Sequence, residues 1–242
     1  MNDLLERVGD SSRNQQRFLA NATHQLRTPL AGLRAHAELA LAQPVPEACR
    51  AELEQVRDAT IRTARLANQL LALSYAEPGG SRGDTFRAVD LMPLVEEAAD
   101  EWVHHALRRE QDLGFELAPV SVNGDAFLLR EAFANLVHNS LEYTPAGGRV
   151  TVRAGTRPAP SGAHPYFEVE DDGPGIPSAE RARVLERFYR TPGTPGGGSG
   201  LGLAIVNEIA MLHGARVELA DGQGGRGCRI GLIFPAQSPA AA

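Results

Sequence analysis

Apolar and polar positions divide the chain into two halves with different periods. Over residues 11–76 the apolar or small positions recur at short helical steps. A first series runs Phe18, Ala22, Leu26, Leu30, Leu33, Ala37, Leu41, and a second runs Leu53, Val56, Thr60, Thr63, Ala67, Leu70, Ser74. Such steps bring side chains to one face of an α-helix. The second series has the alternating spacing of a heptad seam with small residues at its middle, and Leu66 and Leu73 widen it. Pro44 and Pro46 separate the two series, so the pattern predicts two helices joined by a short loop into an antiparallel hairpin. One hairpin cannot cover both stripes. A second copy would, and the expectation is a dimeric four-helix bundle.

Residues 77–84 are rich in glycine and turn formers and read as a linker. From 85 onward the period shortens. Alternations such as Val150-Thr151-Val152 and Phe167-Glu168-Val169 predict half-buried strands, placed near 114–117, 149–154, 166–170, 216–219 and 229–234. Helices are predicted over 125–142, 178–188 and 201–213, with a further one from an N-cap at Asp90 to about 109. Together they predict an α+β sandwich over 85–236: a mixed sheet with one face packed on helices. The tail, 237–242, is expected to be disordered.

Composition narrows the chemistry. All 24 basic residues among the 242 are arginine. Without lysine there is no Walker-A phosphate loop, no eukaryotic-type kinase lysine and no Schiff-base or pyridoxal chemistry. A net charge of −6 argues against sequence-independent binding to nucleic acid. Cys49 and Cys228 stand alone, so neither a zinc site nor a disulfide framework is expected. No apolar run approaches the ~20 residues of a transmembrane helix, and residues 1–10 lack the apolar stretch of a signal peptide. Histidines 36, 104, 105, 138, 164 and 213 read as ordinary surface residues.

Three elements of the second half suggest a nucleotide site. Asn135 and Asn139 are one helical turn apart and share a face; an amide oxygen is a hard ligand fit for Mg²⁺. Asp171-Asp172-Gly173-Pro174-Gly175 follows a predicted strand, where a carboxylate can accept from an amino group such as adenine's and glycines admit close approach. Gly196-Gly197-Gly198-Ser199-Gly200-Leu201-Gly202-Leu203 opens a helix, which favours an anion. The stretch 178–197 between the last two has the length of a mobile lid.

In this order and spacing the elements resemble the N, G1 and G2 boxes of the ATP-binding domain shared by sensor histidine kinases, DNA gyrase, Hsp90 and MutL. Glu186-Arg187-Phe188-Tyr189-Arg190 resembles the kinases' F box. The resemblance implies ATP binding by Asn135, Asn139 and Tyr143, by Asp171, Gly173 and Gly175, and by Gly198, Gly200, Leu201, Gly202 and Leu203, with Asn139 on Mg²⁺. In the hairpin, residues 18–30 resemble the kinases' phosphoacceptor box, and His24 is the residue that box phosphorylates. The seam uses Ala22 and Leu26, which turns His24 outward by ~200° from Ala22, and a neutral imidazole can attack a γ-phosphoryl group in line.

The departures from the family pattern are specific. Gln25 stands where the family carries Glu or Asp; an amide can orient the ring but cannot accept its proton at neutral pH. The run HQLRTPL, residues 24–30, resembles a subgroup that includes tricarboxylate-sensing kinases. Glu142 replaces a common lysine, leaving Mg²⁺ and arginines, with Arg187 and Arg190 the candidates, to offset phosphate charge. Thr28 lies one turn after His24, where the family often orients water for regulator dephosphorylation. Two rival readings remain: an ATPase of the gyrase type, or a degenerate nucleotide-binding scaffold. Asn135 occupies the place of the hydrolytic enzymes' glutamate base and cannot serve as one. Residues 1–10 resemble the end of a HAMP signalling module. The resemblance thus implies a homodimer that phosphorylates a response-regulator receiver domain, with the remainder of the protein anchored in the bacterial inner membrane and this portion in the cytoplasm.

Overall fold

The computed structural model describes residues 28–76, 86–160, 162–192 and 199–236. His24, Gln25 and Gly198 lie outside them, as do 1–10, the linker 77–84 and the tail 237–242. The chain separates into two compact units, Met1–Ser81 and Arg82–Ala242.

In the first unit, helix α1 is described over 28–41 and α2 spans Glu47–Ala76. The break falls at the two prolines, as the pattern predicts. Glu47 opens α2, where its charge complements the helix N-terminus, and Arg50 donates to the carbonyl of Leu41 at the end of α1. Thr60 and Thr63 donate their hydroxyls to the carbonyls of Val56 and Ala59, which satisfies polar groups within a helix. Leu33, Val56, Leu66 and Leu70 are between 42% and 53% exposed on this single chain. Both stripes therefore retain apolar surface that the hairpin alone leaves open to water.

The second unit is built on a five-stranded sheet in the order β2-β4-β5-β7-β6, formed by β2 (Asp112–Leu117), β4 (Arg149–Ala159), β5 (Gly162–Asp171), β6 (Arg216–Asp221) and β7 (Cys228–Ile233). Strand β2 is parallel to β4 and the remaining neighbours are antiparallel. Helices α3 (Leu91–Arg108), α4 (Ala126–Tyr143) and α5 (Gly202–Leu212) complete the sandwich. Val150, Val152, Phe167, Val169, Ile230 and Leu232 are buried, and the Phe133 ring of α4 stacks 3.7 Å from Phe167. The alternate strand positions are charged: Arg153 bridges Glu116 and Glu170, and Arg157 bridges Glu168 and Glu218. One face is thus apolar and the other an ion-pair ladder.

Asp90 caps α3 by accepting from the Met92 amide, and Asp125 caps α4 by accepting from the Leu128 amide. Along the α3–α4 seam the pairs Glu97–Arg130, His105–His138 and Arg109–Glu142 keep a constant offset of 33 residues. A constant offset means that the two helices run in the same direction.

Three expectations are corrected. First, β1 (Arg87–Asp90) pairs antiparallel with β3 (Ser121–Gly124) in a separate ribbon that the pattern does not predict; four residues are too few to display a period. Second, the predicted helix over 178–188 is instead two 3₁₀ turns, Ser178–Glu180 and Arg183–Leu185. Of these turn residues only Val184 is buried, and so short a helix has little packing to offset its nucleation cost. Third, His213 is not a surface residue: it is 7% exposed. Its Nδ1 donates to the Ile209 carbonyl at 2.7 Å, and its Nε2 accepts from the Asp125 amide at 3.1 Å. Burial lowers its pKa, so the ring is held neutral.

Candidate nucleotide site

Helix α4 buries Leu129, Ala132, Phe133, Leu136 and Val137, which leaves the adjoining face for Asn135 and Asn139. Asn135 is buried and donates Nδ2 to the Glu131 carbonyl at 2.8 Å; Asn139 is half-buried. The first residue of α5 comes to both. A Cβ on Gly202 would stand 3.2 Å from Asn139 Oδ1 and 3.3 Å from Asn135 Oδ1. The glycine-rich turn and the asparagine helix, far apart in sequence, therefore meet at contact distance. The first amides of α5 have no acceptor within their own helix.

Gly200 has φ +71°, and a Cβ there would stand 2.7 Å from the Phe188 carbonyl carbon. Phe188 in turn donates its amide to the Gly200 carbonyl at 2.9 Å. Phe188 itself has φ +64°, an uncommon conformation for a bulky residue, and its ring is 72% exposed. Leu201 is buried and Leu203 half-buried.

The acidic element joins the same C-terminal half of α4, at Ser140, the residue after Asn139. Asp171, on the helix-facing side of β5, is buried. Its Oδ1 accepts from the amides of Gly173 and Cys228 at 3.1 and 3.2 Å, and its Oδ2 accepts from the Ser140 hydroxyl at 3.0 Å. Burial raises its pKa, and the three donors oppose that rise. A Cβ on Gly173 would lie 3.1 Å from the Tyr143 carbonyl, and one on Gly175 (φ +73°) 2.7 Å from the Gly227 carbonyl. A cavity of about 310 Å³ is lined by Gly173, Gly175, Ile176 and the β6–β7 turn residues Arg226 and Gly227. A larger one, about 390 Å³, belongs to the charged outer face and touches none of the predicted residues.

The arginines divide. Arg187 pairs with Glu208 of α5 at 3.1 Å, which fixes its guanidinium beside the glycine-rich element. Arg190 is half-buried. Between them, the Tyr189 hydroxyl donates to Glu180 and its ring lies 4.2 Å beneath the Arg183 guanidinium. Glu142, the residue in place of lysine, pairs with Arg109. Thr28 is exposed in α1. Sequence reasoning missed Ser140 and Cys228. A serine among core positions and a solitary cysteine carry no signal until β5 and β7 bring Asp171 to them. Among the described residues no group of three or more His, Cys, Asp and Glu could hold a metal ion; Asn139, the predicted ligand, offers a neutral amide oxygen.

Comparison with known proteins agrees with this assembly. Residues 14–79 match the family described as the His Kinase A (phospho-acceptor) domain, and residues 124–238 match the Histidine kinase-, DNA gyrase B-, and HSP90-like ATPase family. The chain belongs to the sensor histidine kinases of two-component systems. It is 36% identical over 240 residues to the sensor protein kinase PmrB of Pseudomonas aeruginosa, covering 99% of this chain and 49% of that one. It is 37% identical over 232 residues to MprB of a Mycobacterium species, named a signal transduction histidine-protein kinase/phosphatase, covering 91% and 43%. A solved structure of the mycobacterial sensor histidine kinase MprB, 33% identical, covers 63% of this chain and all of that one with a TM-score of 0.54. Full-length ShkA in complex with AMPPNP, 26% identical, covers 93% and 47% with a TM-score of 0.63. The chain spans about half the length of the curated relatives it matches. Among the described residues no helix is long and apolar enough to cross a membrane.

Proposed function

We propose that this chain is the kinase core that moves the γ-phosphoryl group of ATP to His24 and then offers it to an aspartate of a response-regulator receiver domain. The supporting observation is the junction of Gly202 with Asn135 and Asn139. It puts the anion-attracting end of α5 against the two amides, while Asp171, bonded to Ser140 beside them, waits for the exocyclic amino group of adenine.

Each residue then has a role. Tyr143, the last residue of α4, contacts the nucleotide. Gly173 and Gly175 allow the backbone to approach the purine, and Gly198, Gly200, Leu201, Gly202 and Leu203 carry the phosphate loop. Asn139 offers a neutral oxygen that fits Mg²⁺, which keeps most of its shell for water and phosphate; when bound, the ion neutralises charge on the transferring group. Arg187 and Arg190 supply the remaining positive charge. Asn135 cannot activate water, which favours transfer to the imidazole over hydrolysis. The terminal P–O bond breaks as an N–P bond forms on His24, with ADP as leaving group. Gln25 orients the ring, and the ring proton passes to water or a phosphate oxygen.

The apolar surface left on α1 and α2 supports a homodimer. The kinase/phosphatase name of the mycobacterial relative supports a second activity, regulator dephosphorylation, with Thr28 orienting the water. The resemblance of residues 1–10 to the end of a HAMP module supports a membrane-anchored protein with this portion in the cytoplasm. The test is incubation with γ-labelled ATP and Mg²⁺. An acid-labile label on the parent chain, absent from His24→Gln and from Asn139→Ala, is expected. Released phosphate without labelled protein would instead point to an ATPase, and neither product to a scaffold.

A further inference from the structure

We propose that Ser140 sets the nucleobase preference of this pocket, by completing the donor set that keeps Asp171 an acceptor and so admits a purine with an amino group at C6 while refusing one with a carbonyl at C6 and no amino group. The inference rests on the nucleotide reading of Asp171 and extends it to a residue outside the motifs.

A carboxylate offers about four acceptor positions. In this pocket Oδ1 spends its two on the Gly173 and Cys228 amides, and Oδ2 spends one on the Ser140 hydroxyl. One acceptor position is left, on Oδ2, for an incoming donor. An amino group fits it; a carbonyl oxygen meets like charge. That selectivity lasts only while Asp171 is ionised; burial works against ionisation, as does the Asp172 carboxylate beside it, while the neighbouring Cys228 thiol, pushed up to about 12 chiefly by burial, stays neutral. Two of the three opposing donors are backbone amides that no side-chain substitution removes. The third, Ser140, is 3% exposed and comes from α4. Its proton goes to Asp171, so the serine acts through the carboxylate as a positioning residue. Were Asp171 protonated, its O–H could donate to a purine carbonyl and the discrimination would be lost.

The experiment is titration of the 242-residue chain with Mg-ADP and Mg-IDP, whose hypoxanthine carries a C6 carbonyl and no amino group, between about pH 5 and 8, comparing the parent with Ser140→Ala and Ser140→Cys, a weak donor of similar shape. In the parent, ADP affinity is expected to fall only at the acid end. In Ser140→Ala that fall begins about one pH unit higher. Between the two limbs the ADP-over-IDP ratio then drops about tenfold, the loss of one hydrogen bond to a charged group. Ser140→Cys falls between, and above the acid limb ADP binding by Ser140→Ala stays within about threefold of the parent. An unchanged limb and an unchanged ratio in Ser140→Ala overturn the proposal. Asp171→Asn separates it from the reading beneath: if that variant binds ADP like the parent, or if the parent binds no ADP, the nucleotide assignment itself fails and the serine's role with it.

Discussion

The guanidinium of Arg109 meets Glu142 twice, at its carboxylate (3.5 Å) and at its backbone carbonyl (2.9 Å). Glu142 is the residue that breaks the family's lysine pattern beside the second asparagine. Its charge is therefore answered across the α3–α4 seam. Lysine at 142 would set like charges against each other in this half-exposed setting. Glu142→Lys is expected to lower stability by roughly 1 kcal/mol, read as a shift of the urea midpoint, and Arg109→Glu combined with Glu142→Lys should recover most of it. A stabilised single variant would show the pair to be indifferent.

Gly202 is the point where the glycine-rich element and the asparagine helix touch. A methyl group there needs both amides to give way by a few tenths of an ångström. Gly202→Ala is expected to weaken Mg-ATP binding about tenfold or more, because the amides it displaces are the ones proposed to meet metal and phosphate. Alanine is also the better helix former by roughly 1 kcal/mol, so the melting temperature should hold. Calorimetric titration beside a thermal melt separates the two effects; loss of both together would make the glycine structural only.

His213 links the end of α5 to the start of α4, accepting from Asp125 with the nitrogen that protonation would convert into a donor. Its folded pKa lies below the ordinary 6.5. A depressed value means that the neutral ring is the folded form. Its contribution to stability is therefore complete above pH 6.5 and is lost as pH falls from there toward the lowered value. The unfolding midpoint of the parent should drop over that interval, and His213→Gln should be less stable at neutral pH but show a flatter profile. Equal slopes for both proteins would remove the histidine from the acid response.

Gln25 stands beside the phosphoacceptor as an amide. If a neighbouring carboxylate assists by accepting the imidazole proton, Gln25→Glu will match or exceed the parent's rate of autophosphorylation. A large decrease would assign the amide an orienting role that a carboxylate cannot fill.

Periodicity carried the sequence reading where faces are long and one-sided. The hairpin and its proline break and the three long helices of the second unit follow from patterns of at least ten residues, and the cap at Asp90 follows from its residue type. The ribbon of β1 and β3 did not, because each strand is four residues and one carries a single buried side chain. The segment 178–188 misled for a different reason: its polar–apolar spacing suits a helix, but its residues lie mostly in water and settle into isolated turns. In the site, motif residues were legible because glycines and paired asparagines are unusual at such spacing. Ser140 and Cys228 were not, since a role that depends on meeting Asp171 belongs to sheet register and not to any local pattern.

The bond from the Phe188 amide to the Gly200 carbonyl has a consequence for how this protein can vary. Whatever runs between those two residues must leave and return through one neck. The entropy of closing such a neck grows only with the logarithm of its span, so lengthening or trimming the sequence between Arg190 and Gly198 by several residues should leave both anchors in register. Evolution can vary that length at small energetic cost, while a single methyl on Gly200 cannot be accommodated.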